Sequence, residues 1–397
     1  MRISTSQIFS QSLNQMNSAL NDVTELNMMN SSQKKINAPS DDPAGVGQIM
    51  ELSSYNQSLS GYIETCSTAN EYLNLADQSL NQASENVIAA VELAEQASTE
   101  TYTEEQLQMM ALEMESYRDS LLTIANTQFG SDSLFAGNDI QSNAYELGLG
   151  VTLPNDLLTN DDITNISGEI DSTIAVQFTS SGTIGVDDVT YQYSTDGGAT
   201  WTTDTLTASD TQLNLGTCQV DMTTGTAVTP ADGEGNGSEF FVREAIQYIG
   251  SESAMNVDIS ENTNVDMTSV GSSIFGGVAA ETGTPYPDPN LFETISDCIV
   301  YMEMGNAEGV AASMDELHEA HEKLETGAAS IGARENQITY TQQSQAIVKE
   351  INTNSISHEE DADAAQIIVE LQQANYVYEA VLSSSSSIMK MSLLNYI

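Results

Sequence analysis

One row of residues constrains this chain more than anything else in it. From Leu52 a largely apolar position recurs at every seventh residue: Leu52, Leu59, Cys66, Leu73, Leu80, Val87 and Ala94. Three residues after each stand Tyr55, Tyr62, Ala69, Ala76, Ala83, Ala90 and Ala97. Two such rows keep one seam facing a partner, so the pattern predicts a long α-helix in coiled-coil-like pairing. At 1.5 Å per residue, positions 52–97 alone would span roughly 70 Å. The alanine-rich second row implies close approach by the partner helix.

Other helices follow the same logic. Thr103-Glu104-Glu105-Gln106 is a capping-box signature that starts a second helix with the stripe Leu107, Met110, Met114, Tyr117, Leu121 and Ile124. It is expected to end near Phe129-Gly130. Late in the chain Val310, Leu317, Leu324, Ile331 and Ile338 again stand seven apart, with Met314, His321 and Ala328 between them. A last helix, roughly 361–396, carries Ile368, Leu371, Asn375, Tyr378, Leu382 and Met389. None of these helices has its partner nearby in sequence, so the helices of the two chain ends are expected to pack on each other. In the linker, Asp42 is placed to cap a helix whose first residue is Pro43.

Between about 140 and 288 the texture changes to Thr, Val, Gly and Asp. Ile174–Phe178 and Val189–Tyr193 alternate as strands do, and the second runs through Ser194-Thr195-Asp196-Gly197-Gly198 into Ala199–Thr203 as a hairpin. Arg243 is the only Lys or Arg in this region. The fold class is therefore mainly α with a β-rich insert: a long antiparallel helical rod from both chain ends, carrying a central β-rich head.

Charge excludes several classes of partner. Nine Lys plus Arg face 58 Asp plus Glu, a formal net charge of −49. Binding nucleic acid needs clustered cations, and an anionic membrane surface repels such a chain. No apolar run approaches the ~18 residues of a membrane span. The start of the sequence also lacks the apolar stretch of a cleaved secretory signal, which taken alone says cytoplasmic and also fits export by a route that uses no cleaved signal. Cys66, Cys218 and Cys298 are too scattered for a disulfide framework, and Cys66 reads as a small packed hydrophobe.

Catalytic and metal-binding chemistry finds little support. Ser194–Trp201 fits the Asp-box of sialidase-like propellers, but that motif is a fold element, and here it occurs once. A carbohydrate-binding surface protein is the reading that would rest on it. Asp232-Gly233-Glu234-Gly235-Asn236-Gly237 resembles the start of a calcium loop, but its twelfth position is Arg243 where a bidentate Glu is needed. His318 and His321 stand three apart, unlike the four of a zinc helix, and His358 lies beside Glu359 and Glu360 in a linker. No catalytic, cofactor or metal residues are assigned.

The chain ends carry a resemblance. Met1-Arg2-Ile3-Ser4-Thr5 and Lys34 through Gly45 (KKINAPSDDPAG) resemble the amino-terminal signature shared by flagellins and the hook-associated protein 3 family. Ile331 through Ile338 (IGARENQI) resembles the carboxy-terminal rod motif of that superfamily. So do Asp361–Leu371, Ala374–Ala380 and the ending Met391–Ile397. Three stretches, Met1–Thr5, Phe129–Asn138 and Ser392–Tyr396, look more like the hook-associated family than like flagellin.

The resemblance implies a structural subunit of the bacterial flagellum, located at the hook–filament junction, needed for filament assembly and motility, and exported by the type III route. Flagellin itself is the alternative. The implied organisation is an inner-tube helix at 1–40 and 356–397, a helical rod at 41–139 and 289–355, and the β-rich head at 140–288. Implied partners are further copies of the chain in a helical ring, the other hook-associated junction protein, flagellin, and an export chaperone at the carboxy-terminal helix. The residues assigned to assembly are Leu52, Leu59, Leu73, Leu80, Leu371, Tyr378, Leu382, Leu393 and Leu394. The five-serine run Ser383–Ser387, only a middling helix sequence, is expected to order only when packed in the assembly.

Overall fold

The structure is a computed structural model that describes residues 5–99, 102–231, 236–280 and 283–394, with side chains described from 7 to 387 within those ranges. In chain order come α1 (Thr5–Ser32), α2 (Pro43–Ala97) and α3 (Glu104–Ala125). The strands are β1 (Tyr145–Thr152), β2 (Ile163–Gly168), β3 (Ile174–Phe178), β4 (Val189–Ser194), β5 (Thr202–Leu206), β6 (Gln212–Asn214), β7 (Cys218–Met222), β8 (Glu239–Tyr248), β9 (Asn256–Ser260), β10 (Thr263–Asp266) and β11 (Val278–Ala279). A short α4 (Ser272–Phe275) lies before β11, and α5 (Leu291–Glu303), α6 (Ala307–Glu360) and α7 (Ala364–Leu394) close the chain. The chain is thus mainly helical with a β-rich region between helices. None of the described helices is long and apolar enough to cross a membrane.

The chain forms two compact units, 1–64 with 342–397 and 65–341, and the division falls inside α2 and inside α6. In unit 65–341 the heptad row is buried as the sequence requires: Cys66, Leu73, Leu80, Val87 and Ala94 are enclosed, and so are Ala69, Ala76, Ala83, Ala90 and Ala97. They share one core with Leu107, Met114 and Leu121 of α3 and with Val310, Leu317, Leu324, Ile331 and Ile338 of α6. An aromatic cluster extends this core, with Tyr145 tilted against Tyr248 and edge-on to Phe292 at ring-centre distances of 5.1 and 5.0 Å. Tyr55, placed by the pattern in the second row, is instead exposed.

The predicted start of α3 holds: the Thr103 N–H donates to Gln106 Oε1 at 3.0 Å. The helix stops at Ala125, four residues before Phe129. There Gln128-Phe129 pairs with Asp132-Ser133 in a tight hairpin that Gly130 turns at φ +67°.

The β region has a second core. β8 lies between β1 and β3, β4 pairs β3, and β5 is the outer strand; β11 adds to β8 in parallel. Val176, Phe178, Tyr191, Phe240 and Val242 from these strands meet Leu213, Val220 and Met222 from the small β2–β7–β6 sheet. β3 and the β4–β5 hairpin stand where the alternation placed them.

In unit 1–64 with 342–397, α1 and α7 pack on each other. Asp42 caps α2, accepting from the N–H groups of Ala44 and Gly45 at 3.0 and 3.1 Å, with Pro43 as the first helical residue. Asp41 accepts from the N–H groups of Asn37 and Ala38, which holds its carboxyl below the usual range.

Candidate assembly surface

The α1–α7 pair buries a narrow seam. On α1 the shielded positions are Ser12, Met16, Ala19, Val23 and Leu26; on α7 they are Ile367, Leu371, Ala374, Tyr378, Val381 and Ser385. Both sets follow four-three spacing, the geometry of a two-helix contact. The Oγ atoms of Ser12 and Ser385 stand 2.5 Å apart across it. The serine run stands in helix α7 here, and its small side chains allow a close approach to α1. Of the stripe that the pattern chose, Leu371 and Tyr378 lie on the seam, while Ile368 (47 % exposed), Asn375 and Leu382 (40 % exposed) each stand one residue past it. Leu393 and Leu394 belong to the backbone of α7, but their side chains lie outside the described residues.

A seam this narrow leaves much apolar surface uncovered. Ile8, Phe9, Leu13, Leu20 and Met28 of α1 are exposed, as are Val369, Tyr376 and Val377 of α7, with Tyr376 75 % exposed. Contiguous exposed apolar surface of this kind is a mark of contact sites.

Two chain crossings form a joint beside this pair. Gln33, at φ +59°, turns the chain out of α1. Lys35 N–H then donates to Glu360 O at 2.8 Å, and Ala362 N–H to Gln33 O at 3.0 Å. The ammonium of Lys34 meets the Glu360 carboxylate at 2.5 Å, and that of Lys35 meets Glu359 at 3.9 Å.

The α2–α6 part of this unit has an inverted character. The heptad row of α6 continues past Ile338 as Gln345 and Asn352, both buried. Asn56 Nδ2 donates to Thr353 Oγ1 at 3.2 Å, while Asn56 Oδ1 and Asn352 Nδ2 are enclosed without a partner among the described residues. Meanwhile Ile347 (59 % exposed) and Ile351 (58 %) face outward. Leu52 is half-buried on an open groove of about 560 Å³ with Gln48, Ile351, Asn354 and His358.

The remaining assembly candidates sit differently. Leu59 is buried within this unit, and Leu73 and Leu80 are enclosed in the core of the other. Around Leu73 and Leu80 the α2 seam is filled by this chain's own helices.

In unit 65–341 the sequence reading missed two buried cations. Arg243 on β8 donates through both Nη atoms to Glu293 at 3.3 and 3.1 Å, through Nη2 to Asp297 at 2.8 Å, and through Nε to Thr152 Oγ1 at 2.7 Å. Burial alone would lower its pKa, but the two carboxylates outweigh that and keep it charged; burial pushes the Glu293 carboxyl up. Arg118 on α3 reaches Glu244 at 3.0 Å and Asp119 at 3.2 Å. Its clue in the sequence was position: Arg118 falls four residues after Met114 and three before Leu121, on the buried side of α3.

Between α3, α5 and β8 lies a cleft of about 410 Å³, lined by Leu112, Glu115, Arg118, Thr173, Ile299 and Glu303 among others. Thr173 Oγ1 donates to Glu303 at 2.6 Å, and burial raises both Glu115 and Glu303.

The chemical motifs resolve into local structure. Ser194 Oγ donates to Asp196 Oδ1 at 2.8 Å, Asp196 accepts from Thr200 N–H and Oγ1–H at 2.8 and 2.6 Å, and these bonds hold its carboxyl down to about 2. The motif braces the β4–β5 turn. Asp232–Gly235 lie outside the described residues, and Arg243, the twelfth position, is committed to its ion pairs. His321 Nε2 is 2.8 Å from Ser84 Oγ, while His318 and His358 are exposed.

Comparison with known proteins agrees with the reading of the amino-terminal end. Residues 3–139 match the family model of the bacterial flagellin N-terminal helical region. The chain is also similar to Flagellar hook-associated protein 3 of Salmonella typhimurium, with 25 % identity over 151 residues, 38 % of this chain and 48 % of that protein. It is also similar to Flagellar hook-associated protein 3 of Escherichia coli K12, at 28 % identity over 34 % of this chain and 44 % of that one. The chain thus spans about half the length of the curated relatives it matches. A solved structure of Bacillus cereus FlgL aligns with 80 % of this chain and 99 % of its own, at 12 % identity and a TM-score of 0.41.

Proposed function

We propose that this chain is a structural subunit of the bacterial flagellum that joins hook to filament, and that its role is assembly, not catalysis. The observation that carries the reading is the α1–α7 pair, which buries a single seam and leaves Ile8, Phe9, Leu20, Val369, Tyr376 and Leu382 open. Helices with this much uncovered apolar surface need further helices around them, and further copies of the same chain in a ring supply them. The names of the relatives point to the place.

In this reading residues 1–40 and 356–397 form the inner tube. Residues 41–139 and 289–355 form a rod of antiparallel, coiled-coil-like helices, and 140–288 form a solvent-facing head. Leu382, Leu393 and Leu394 contribute the contacts between copies, with Leu371 and Tyr378 holding α7 to α1 beneath them. The other junction protein and flagellin would lie on either side, and the chain would reach its place by type III export without a cleaved signal, with a chaperone on α7.

Immunogold labelling of flagellated cells that produce the chain tests the location. Label confined to the hook–filament boundary is the expected result; label along whole filaments would favour flagellin. Removing residues 361–397 should leave a soluble chain that cannot join a filament, and swimming supported by that truncation would refute the assignment to α7.

A further inference from the structure

The fate of the nine cationic side chains has a bearing on assembly. Arg118 and Arg243 are buried in ion pairs, Lys34 and Lys35 are engaged at the joint, and Lys323 donates to Pro289 O at 2.6 Å. Arg334 donates to the carbonyls of Asp266 and Thr268 at 3.2 and 3.1 Å. Among the described side chains this leaves Lys349; those of Arg2 and Lys390 lie outside that range. Fifty-eight carboxylates thus share the molecule with nine cationic side chains, six of which are engaged within it. In unit 1–64 with 342–397, Asp22, Glu25, Glu51, Glu350, Glu370 and Glu379 are exposed. Two copies brought together through this unit present exposed carboxylates to each other, and among its described side chains only Lys349 is a cation not already engaged.

We propose that association between copies of this chain, and the stability of the folded chain itself, depend on inorganic cations drawn from the medium. Like charges at a contact repel, and the same self-repulsion loosens a compact fold. Salt shortens the reach of both effects, from a Debye length of about 30 Å at about 0.01 M to about 3 Å at about 1 M. The apolar stripes supply the attraction, and the ionic strength decides whether it prevails. The part that concerns association rests on the self-assembly reading above; the part that concerns the fold does not.

The test uses the full chain in NaCl from about 0.01 M to about 1 M, the range over which screening changes about tenfold. Thermal unfolding is followed by circular dichroism and association by sedimentation velocity. Both the melting midpoint and the associated fraction should rise with salt. A midpoint that stays flat or falls overturns the proposal. Association that is equally strong at the lowest salt overturns it while leaving self-assembly intact. A rising midpoint with no association at any salt overturns the part on association and the self-assembly reading together. The variant Glu25→Gln, Glu51→Gln, Glu350→Gln, Glu379→Gln separates screening from salting-out of apolar surface. Screening requires it to associate at lower salt than the parent, and an unchanged salt requirement would defeat the charge explanation.

Discussion

Two stretches of α6 keep the same heptad register and fill it with opposite chemistry. From Val310 to Ile338 every seventh residue is aliphatic and fully enclosed. Beyond it the same row reads Gln345 and Asn352, still buried, while Tyr340, Ile347 and Ile351 stand on the outside. The period decides which residues face the seam; only their polarity decides whether the seam drives folding. In the first stretch the enclosed apolar surface belongs to this chain's own core. In the second, the inner face is held by amides and the apolar surface is exposed, an arrangement that fits the proposed role in assembly.

The sharpest way to break this comparison is to exchange the chemistries. Leu324→Asn puts an amide into the aliphatic row and should cost about 3–5 kcal/mol, the loss of a buried leucine plus an unsatisfied polar group. Urea unfolding of the purified chain measures it, and a cost below about 1 kcal/mol would mean that the two stretches are equivalent. The converse, Asn352→Leu, should be neutral or stabilising by about 1–2 kcal/mol, since it removes a buried donor without a protein partner. A large destabilisation there would show that the amide seam is a specific, satisfied contact.

The contrast has a pH counterpart. Glu115, Glu293, Glu303 and Glu316, all in unit 65–341, have carboxyls pushed above their ordinary 4.5, chiefly by burial. A carboxyl raised in the fold binds its proton more tightly there, so it stabilises the fold below its unfolded pKa. That contribution is lost as pH rises through the folded value. The melting midpoint of this unit should therefore rise as pH falls from 7 toward 5. Glu303→Gln, which can still accept from Thr173, should raise the midpoint at pH 7 and flatten that slope. Asp196, lowered to about 2, acts in the other direction, losing its contribution only as pH falls below its ordinary 3.8.

The smallest effect is expected at the joint. Lys34→Gln removes an exposed ion pair and should change stability by at most about 1 kcal/mol, less at high salt. Limited proteolysis near residues 33–42 would report it better than unfolding does, and a loss above about 2 kcal/mol would make the joint a structural keystone.

Much of the fold was legible because its signals are local or periodic. The α2 and α6 rows, the Thr103 cap, the Asp42-Pro43 start and the β4–β5 hairpin all follow from residues within a turn or a heptad of one another. Part of the α7 face, at Ile368, Asn375 and Leu382, was misplaced by one residue because helix 364–394 is apolar on several sides, so hydropathy does not choose among them. Its seam was set by the small residues Ala374 and Ser385, which fit against α1 and carry little hydropathic weight. Arg243 could be seen as the lone cation of the β region, yet its partners Thr152, Glu293 and Asp297 lie 91, 50 and 54 residues away. Nothing local joins them.

The sequence by itself determined the helical period, the β-rich interruption, the resemblance of the chain ends to flagellins and an exterior crowded with carboxylates, because composition and spacing act without long-range partners. Only the tertiary structure decided which stripes are consumed inside the chain and which remain open. Leu73 and Leu80 are enclosed while Leu382 is exposed, although all three stand in heptad rows. The reason is that periodicity specifies a face, whereas burial depends on which distant segment arrives to cover it.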